Sequence, residues 1–279
     1  MSDESAPAAE RAPLRRQRGS WLFTPADDPR KLASAARSDA DALIADLEDG
    51  VAPERKDAAR ELALEFAQEG GAPRIVRIND PRSEHGQADL ERFAARAPLA
   101  VMVPKATMPT LALAHAAGLR TVALIETAEG LCEAERIATC EGVLAMALGT
   151  IDLAAELSLG ELPGGLELLH ARSRLVLACA LSGIPAIDGV HPRVTDTDAL
   201  AEEARRARAL GFAAKLCIHP AQLAAVREAF TPSAAEIEHA RGVLAAYEHS
   251  RAQRRGAALA GGEMVDLASV RRARRLLDD

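Results

Sequence analysis

The chain has 279 residues, a formal charge of −7 at neutral pH, and 48% apolar residues of which few are aromatic. That balance argues against a nucleic-acid binder, which needs a basic face to neutralise phosphates, and no apolar run approaches the roughly 18 residues of a membrane span. Cys132, Cys140, Cys179 and Cys217 show neither metal-finger nor redox-motif spacing, so a reduced, cytoplasmic protein is expected.

Residues 1–18 are rich in Ala, Pro, Ser and Arg, the composition of a disordered tail. Asp3, Glu4 and Glu10 within it argue against a secretory leader, and order is expected from near Ser20. Eight short apolar runs follow, most of them ending on a polar residue: Trp21–Pro25, Ala42–Asp49, Arg74–Asn79, Ala100–Lys105, Thr121–Thr127, Val143–Asp152, Ile184–Val190 and Ala214–Pro220. Segments of helical period separate them. The clearest is Asp196–Leu210, where Glu202 faces Arg206 at i,i+4 and Gly211 supplies a stop. Alternating strand and helix imply a parallel sheet with right-handed crossovers. Eight such units predict a (β/α)8 TIM barrel over residues 19–230, with an open doubly wound sheet as the alternative. Residues 231–279 are expected to form a C-terminal helical flap. In it a Ser233–Glu236 capping box opens a helix to about Ser250, Gly256, Gly261 and Gly262 bracket a flexible or hairpin segment, and a basic helix runs from about Leu267 to Leu277. So short a tail has too little apolar surface to stand alone and is expected to dock on the barrel or on a neighbouring subunit.

A barrel gathers the residues after its strands at one mouth, here Glu48, Asp49, Arg77, Lys105, Glu126 and Asp152. Glu126 and Asp152 follow adjacent runs, about one strand spacing of 4.8 Å apart, where two carboxylates can share a metal ion. Hard oxygen ligands without a nearby His or Cys favour Mg2+ or Mn2+ over Zn2+; alternatively each carboxylate caps the helix after its strand. Arg77 suits a bidentate grip on a carboxylate or oxyanion, or an ion pair with Glu48 or Asp49, and the two roles are compatible. Glu48 and Asp49 can reach a metal through water, orient Arg77 or open the next helix. Lys105 is a Schiff-base lysine if desolvated, and otherwise a partner for carboxylates. His219 and Asp188 read as structural groups before they read as bases. Asp266 is either the cap of the last helix or an acid or base carried on a closing flap.

Together WLFTPADDP, DLEDGVAPERKDAAR, VRIN, VPK, LIETAEGL, LGTIDL, GFAAKLCIHPAQ and GGEMVD, in this order from Ser20 to about Leu277, resemble the citrate lyase β-subunit-like and malyl-CoA lyase family of the HpcH/HpaI aldolase superfamily. The resemblance implies that Glu126 and Asp152 bind Mg2+, that Arg77 contacts the substrate's carbonyl or carboxylate oxygen, and that Glu48 and Asp49 support both. It also implies that Asp266 reaches a neighbouring subunit's site as acid or base. Lys105 joins Arg77 as an expected substrate contact. The implied reaction makes or breaks a carbon–carbon bond between a small 2-oxo acid and a coenzyme A or related thioester, in a homo-oligomer such as a trimer or hexamer. Two alternatives remain, a thioester hydrolase on the same metal site and a non-catalytic subunit that binds coenzyme A or an oxo acid.

Overall fold

The computed structural model describes Leu14 and residues 19–252, 258–260 and 263–277. The expected disordered tail, Leu14 apart, and Gly256, Gly261 and Gly262 lie outside the described residues. The chain divides at Phe230–Thr231 into two compact units.

In the first unit eight parallel strands close into a barrel in sequential order. They are β1 (Gly19–Pro25), β2 (Ala42–Asp46), β3 (Arg74–Arg77), β4 (Ala100–Val103), β5 (Thr121–Ile125), β6 (Val143–Leu148), β7 (Ala186–Asp188) and β8 (Ala214–Cys217), with β8 pairing back onto β1. The helices around it are α1 (Pro29–Ala36), α2 (Lys56–Gln68), α3 (Glu84–Ala95), α4 (Met108–Ala116), α5 (Ala128–Cys132), α6 (Ala134–Thr139), α7 (Thr150–Glu156), α8 (Leu169–Ser182), α9 (Thr197–Leu210) and α10 (Leu223–Phe230). Their starts are written in the sequence. Asp28 accepts the N–H groups of Arg30 and Lys31 ahead of Pro29, Ser83 accepts from Gly86, and Asp196 accepts from Ala199. Gly211 ends α9 at φ 107°, a left-handed position that suits glycine. The expected Glu202–Arg206 pair closes at 2.6 Å on the solvent side of α9.

Side chains alternate along each strand between the barrel interior and the helix layer. Trp21, Ala42, Ile44, Ile75, Met102, Val122, Leu124, Ile187 and Leu216 pack in the interior cluster. Leu22, Leu43, Ala45, Val76, Val101, Ala123 and Cys217 pack outward against the helices. Continuing the inward parity one step places Phe23, Asp46, Arg77 and Glu126 at the C-terminal rim. Apart from the first, the runs read from the sequence are longer than the strands, because their terminal polar residues lie in the loops and helix starts beyond this rim.

The second unit contains α11 (Ala234–Ala252), an antiparallel pair β9 (Ala258–Ala260) and β10 (Glu263–Val265), and α12 (Leu267–Leu277). The capping box is present: Ser233 N donates to Glu236 at 2.8 Å, and Glu236 N to Ser233 Oγ at 3.2 Å. Ala240 and Val243 of α11 pack with Val265, Val270 and Ala273. Among the described residues no helix is long and apolar enough to cross a membrane.

Candidate active site

Arg77, at the end of β3, is held from three directions. Asp46 of β2 takes its Nε at 2.7 Å and its Nη2 at 2.8 Å in a bidentate fork, and Glu48 Oε2 lies 3.0 Å from Nη1. Asp49 is farther, at 3.8 Å, and the guanidinium carbon stands 4.9 Å from the centre of the Phe23 ring. Burial works against the cation, but the hydrogen bonds and charge of Asp46, with the charges of Glu48 and Glu126, raise its pKa. Asp46 is itself locked by the N–H groups of Glu48 at 2.9 Å and Gly50 at 3.0 Å. The sequence points to Glu48 and Asp49 as the partners of Arg77, whereas the principal partner in the structure is Asp46. The signal was available: Ala42 and Ile44 point inward, so residue 46 must as well. Asp46→Asn is expected to lower stability by about 2 kcal/mol, the scale of a hydrogen bond to a charged group; an unchanged urea midpoint would remove Asp46 as the anchor.

Glu126 follows β5 and is buried. Burial and the nearby charge of Glu48 push its carboxyl up to about 7, against the pull of the Lys105 N–H and Arg77. Its close seat depends on Gly149, where a Cβ would fall 2.2 Å from the Glu126 Cγ. Asp152 sits in the first turn of α7, whose start shows no side-chain cap hydrogen bond, while Thr127, not Glu126, caps α5. The capping alternative for these two carboxylates is therefore not what the structure shows. Both line a cavity of about 410 Å³ at the barrel mouth, with Asp46, Asp49 and Arg77 on its wall.

Lys105 touches two of the acids. Its Nζ lies 2.8 Å from Glu48 Oε1, and its backbone N–H donates to Glu126 Oε2 at 2.9 Å. Its φ of 45° is a left-handed conformation that costs a non-glycine residue about 1 kcal/mol or more. Burial draws the ammonium pKa down, but Glu48 and Glu126 outweigh it and raise the value. A Schiff-base lysine needs the neutral amine, so the structure favours the carboxylate-partner reading. Glu48 is pushed up by burial, partly offset by Arg77 and Lys105. Its Oε2 is buried and, although ion-paired, makes no hydrogen bond of good geometry.

Asp188 and His219 lie elsewhere in the first unit. Asp188 points outward from β7 and is fully buried against Lys215 at 2.7 Å and Arg172 at 2.8 Å, a structural network that also takes in Glu203. His219 is exposed and accepts the Ala221 N–H at 3.1 Å. In the second unit, Asp266 accepts from Ser269 N at 2.8 Å and Ser269 Oγ at 3.0 Å and so caps α12; these bonds lower its pKa.

Comparison with known proteins places these features among relatives. The family described as HpcH/HpaI aldolase/citrate lyase matches residues 19–220. A (3S)-malyl-CoA thioesterase from Cereibacter sphaeroides is 38% identical over 264 residues, covering 92% of this chain and 93% of that protein. A citrate lyase subunit beta-like protein from Mycobacterium tuberculosis is 40% identical over 262 residues, with 92% and 93% covered. Among solved structures, CitE from Mycobacterium tuberculosis in complex with magnesium, acetoacetate and coenzyme A matches with a TM-score of 0.82 at 38% identity. That match covers 95% of this chain and 98% of the other.

Proposed function

The chain belongs to the HpcH/HpaI aldolase/citrate lyase family, and from that premise we propose a Mg2+-dependent carbon–carbon lyase acting on a hydroxyacyl-CoA or related thioester and a small 2-oxo acid. The observation that carries this reading is one cavity wall bearing two carboxylates, Glu126 and Asp152, and a guanidinium clamped by Asp46. The donor set fits a hard divalent cation. Among the described residues no group of three or more His, Cys, Asp or Glu is arranged to hold a metal, so Glu126 and Asp152 would supply two oxygen ligands and leave positions for water and the oxo acid. A buried carboxyl with its pKa at about 7 is also the kind of group a neighbouring cation draws into its ionised form. The chemistry supplied by bound Mg2+ is Lewis-acid polarisation of the oxo acid's carbonyl.

The chain's own residues do the rest. In the condensing direction ionised Asp266, reaching a neighbouring subunit's site as the sequence resemblance implies, removes a proton from the carbon next to the thioester carbonyl. The resulting carbanion attacks the oxo acid's carbonyl carbon, and Arg77, aimed by Asp46 and Glu48, stabilises the negative charge that gathers on the carbonyl oxygen. Lys105 holds Glu48 in place and, as a cation beside it, would attract the substrate's carboxylate. The oxygen then takes a proton from water to become the hydroxyl of the product; cleavage runs the same steps backwards, the hydroxyl giving its proton to water and Asp266 returning a proton to carbon. Similarity to a thioesterase supports a second reading, in which water attacks the thioester carbonyl at the same site. Purified protein with Mg2+ is expected to condense acetyl-CoA or propionyl-CoA with glyoxylate, or to cleave the corresponding hydroxyacyl-CoA. Free thiol released without an oxo acid would favour the hydrolase, and no turnover across the panel with and without metal would sink both readings.

A further inference from the structure

Behind the Arg77–Glu48 pair lies a buried polar ring outside the residues considered so far. Lys56, the first residue of α2, is buried. Its ammonium has three donors. They go to Leu47 O at 2.8 Å, Glu48 O at 3.0 Å and Asn79 Oδ1. All three acceptors are uncharged, and they sit on the two loops that leave β2 and β3. Asn79, two residues beyond Arg77, donates both its backbone N–H, at 2.8 Å, and its Nδ2, at 2.7 Å, to Asp89 Oδ2. Asp89, fully buried on α3, takes Arg60 Nε at 2.6 Å on its other oxygen, and Arg60 returns the path to α2. The ring therefore closes through two helices and both loops. It fastens the backbone of Leu47 and Glu48 and the side chain of Asn79, two residues past Arg77, to a single cation.

Resting on the lyase reading, we infer that Lys56 is a positioning residue for the reaction: through the Leu47 and Glu48 carbonyls and Asn79 it fixes where Glu48 meets Arg77, and so where the guanidinium is aimed. A stabilising role alone would need burial and satisfied donors. It would not require all three bonds to converge on the loops that carry the site. Loss of supporting hydrogen bonds of this kind characteristically costs 10- to 100-fold in activity, because an aimed charge is effective only within a few tenths of an ångström of its productive place.

The test is Lys56→Met, which keeps the length of the stem and removes the three donors, set beside Lys56→Arg and Leu90→Ala. Leu90 is a buried core residue on α3 outside the ring, so its truncation reports what destabilisation alone does. Per folded molecule, Lys56→Met is expected to lose roughly 10- to 100-fold in kcat with KM for the oxo acid moved less than about threefold. Lys56→Arg should recover most of the loss, and Leu90→Ala should retain the parent kcat despite a lower Tm. A folded Lys56→Met with the parent kcat overturns the inference, as does a matching loss in Leu90→Ala. Should Lys56→Met fail to fold, Asn79→Ala, which cuts the ring but leaves the Lys56 bonds to both carbonyls, must show the same kcat-selected loss or the inference falls. Absence of any lyase turnover in the parent protein would overturn the lyase reading alone. The ring is then decided by a crystal structure of the variant, in which an Arg77–Glu48 contact unchanged from 3.0 Å overturns it.

Discussion

Glu126→Gln is expected to reduce metal-dependent turnover by roughly 1000-fold while making the metal-free protein more stable at pH 8. Glutamine keeps an oxygen for the Lys105 N–H but offers no charge to a cation. The stability effect follows from the raised carboxyl. In the unfolded chain the group ionises near 4.5 and in the fold near 7, so between these values the folded protein holds a proton that the unfolded chain has released. Its contribution to stability is complete below about 4.5 and is lost as the pH rises through 7. Above that, the metal-free fold keeps a buried carboxylate at a cost on the order of 3 kcal/mol. The substitution removes the cost, so parent and variant should separate at pH 8 in chelator and converge near pH 4.5. Added Mg2+ should raise the Tm of the parent at pH 8 and leave the variant unmoved. Thermal unfolding at the two pH values, with and without Mg2+, measures all of this; a variant no more stable than the parent at pH 8 would show that the buried carboxylate is compensated elsewhere.

Asp266→Asn is the second large effect, expected to lower turnover by roughly 100- to 10,000-fold, the range for loss of a general acid or base. Asparagine caps a helix about as well as aspartate, so the Ser269 N–H keeps its acceptor and α12 should remain. That separates the two readings of this residue. Circular dichroism and Mg2+ affinity should match the parent while the reaction stops. An active Asp266→Asn protein would leave the residue as the cap of α12 and nothing more. The same bonds that lower its pKa favour the ionised form, which suits a base in the condensing direction.

The barrel was legible because its signal is repeated eight times. A single run such as Ile184–Val190, which yields only three residues of strand in β7, would have been ambiguous alone. The polar rim was legible in part. Arg77 and Glu126 stand one inward step beyond apolar strand residues, which makes them readable from the chain alone. Asp46 has the same parity but lies inside an apolar run, two residues before the more conspicuous acidic pair Glu48–Asp49. Lys56 and Asp89 were harder still, since their importance arises from α2, α3 and two loops meeting in space, and no periodicity along the chain encodes that meeting. The outward position of Asp188 could have been read from Ile187, whose neighbours on a strand must face the helices.

The left-handed turn at Lys105 has a mechanical consequence. One residue grips Glu48 with its side chain and Glu126 with its backbone, so the two acids are linked through a single peptide that has little freedom to relax. Drawing Glu126 toward a cation would shift the Lys105 amide, and with it the ammonium that balances Glu48, whose other neighbour is Arg77. A pull on Glu126 would thus reach the guanidinium through three contacts in series: Glu126 with the Lys105 amide, the Lys105 ammonium with Glu48, and Glu48 with Arg77.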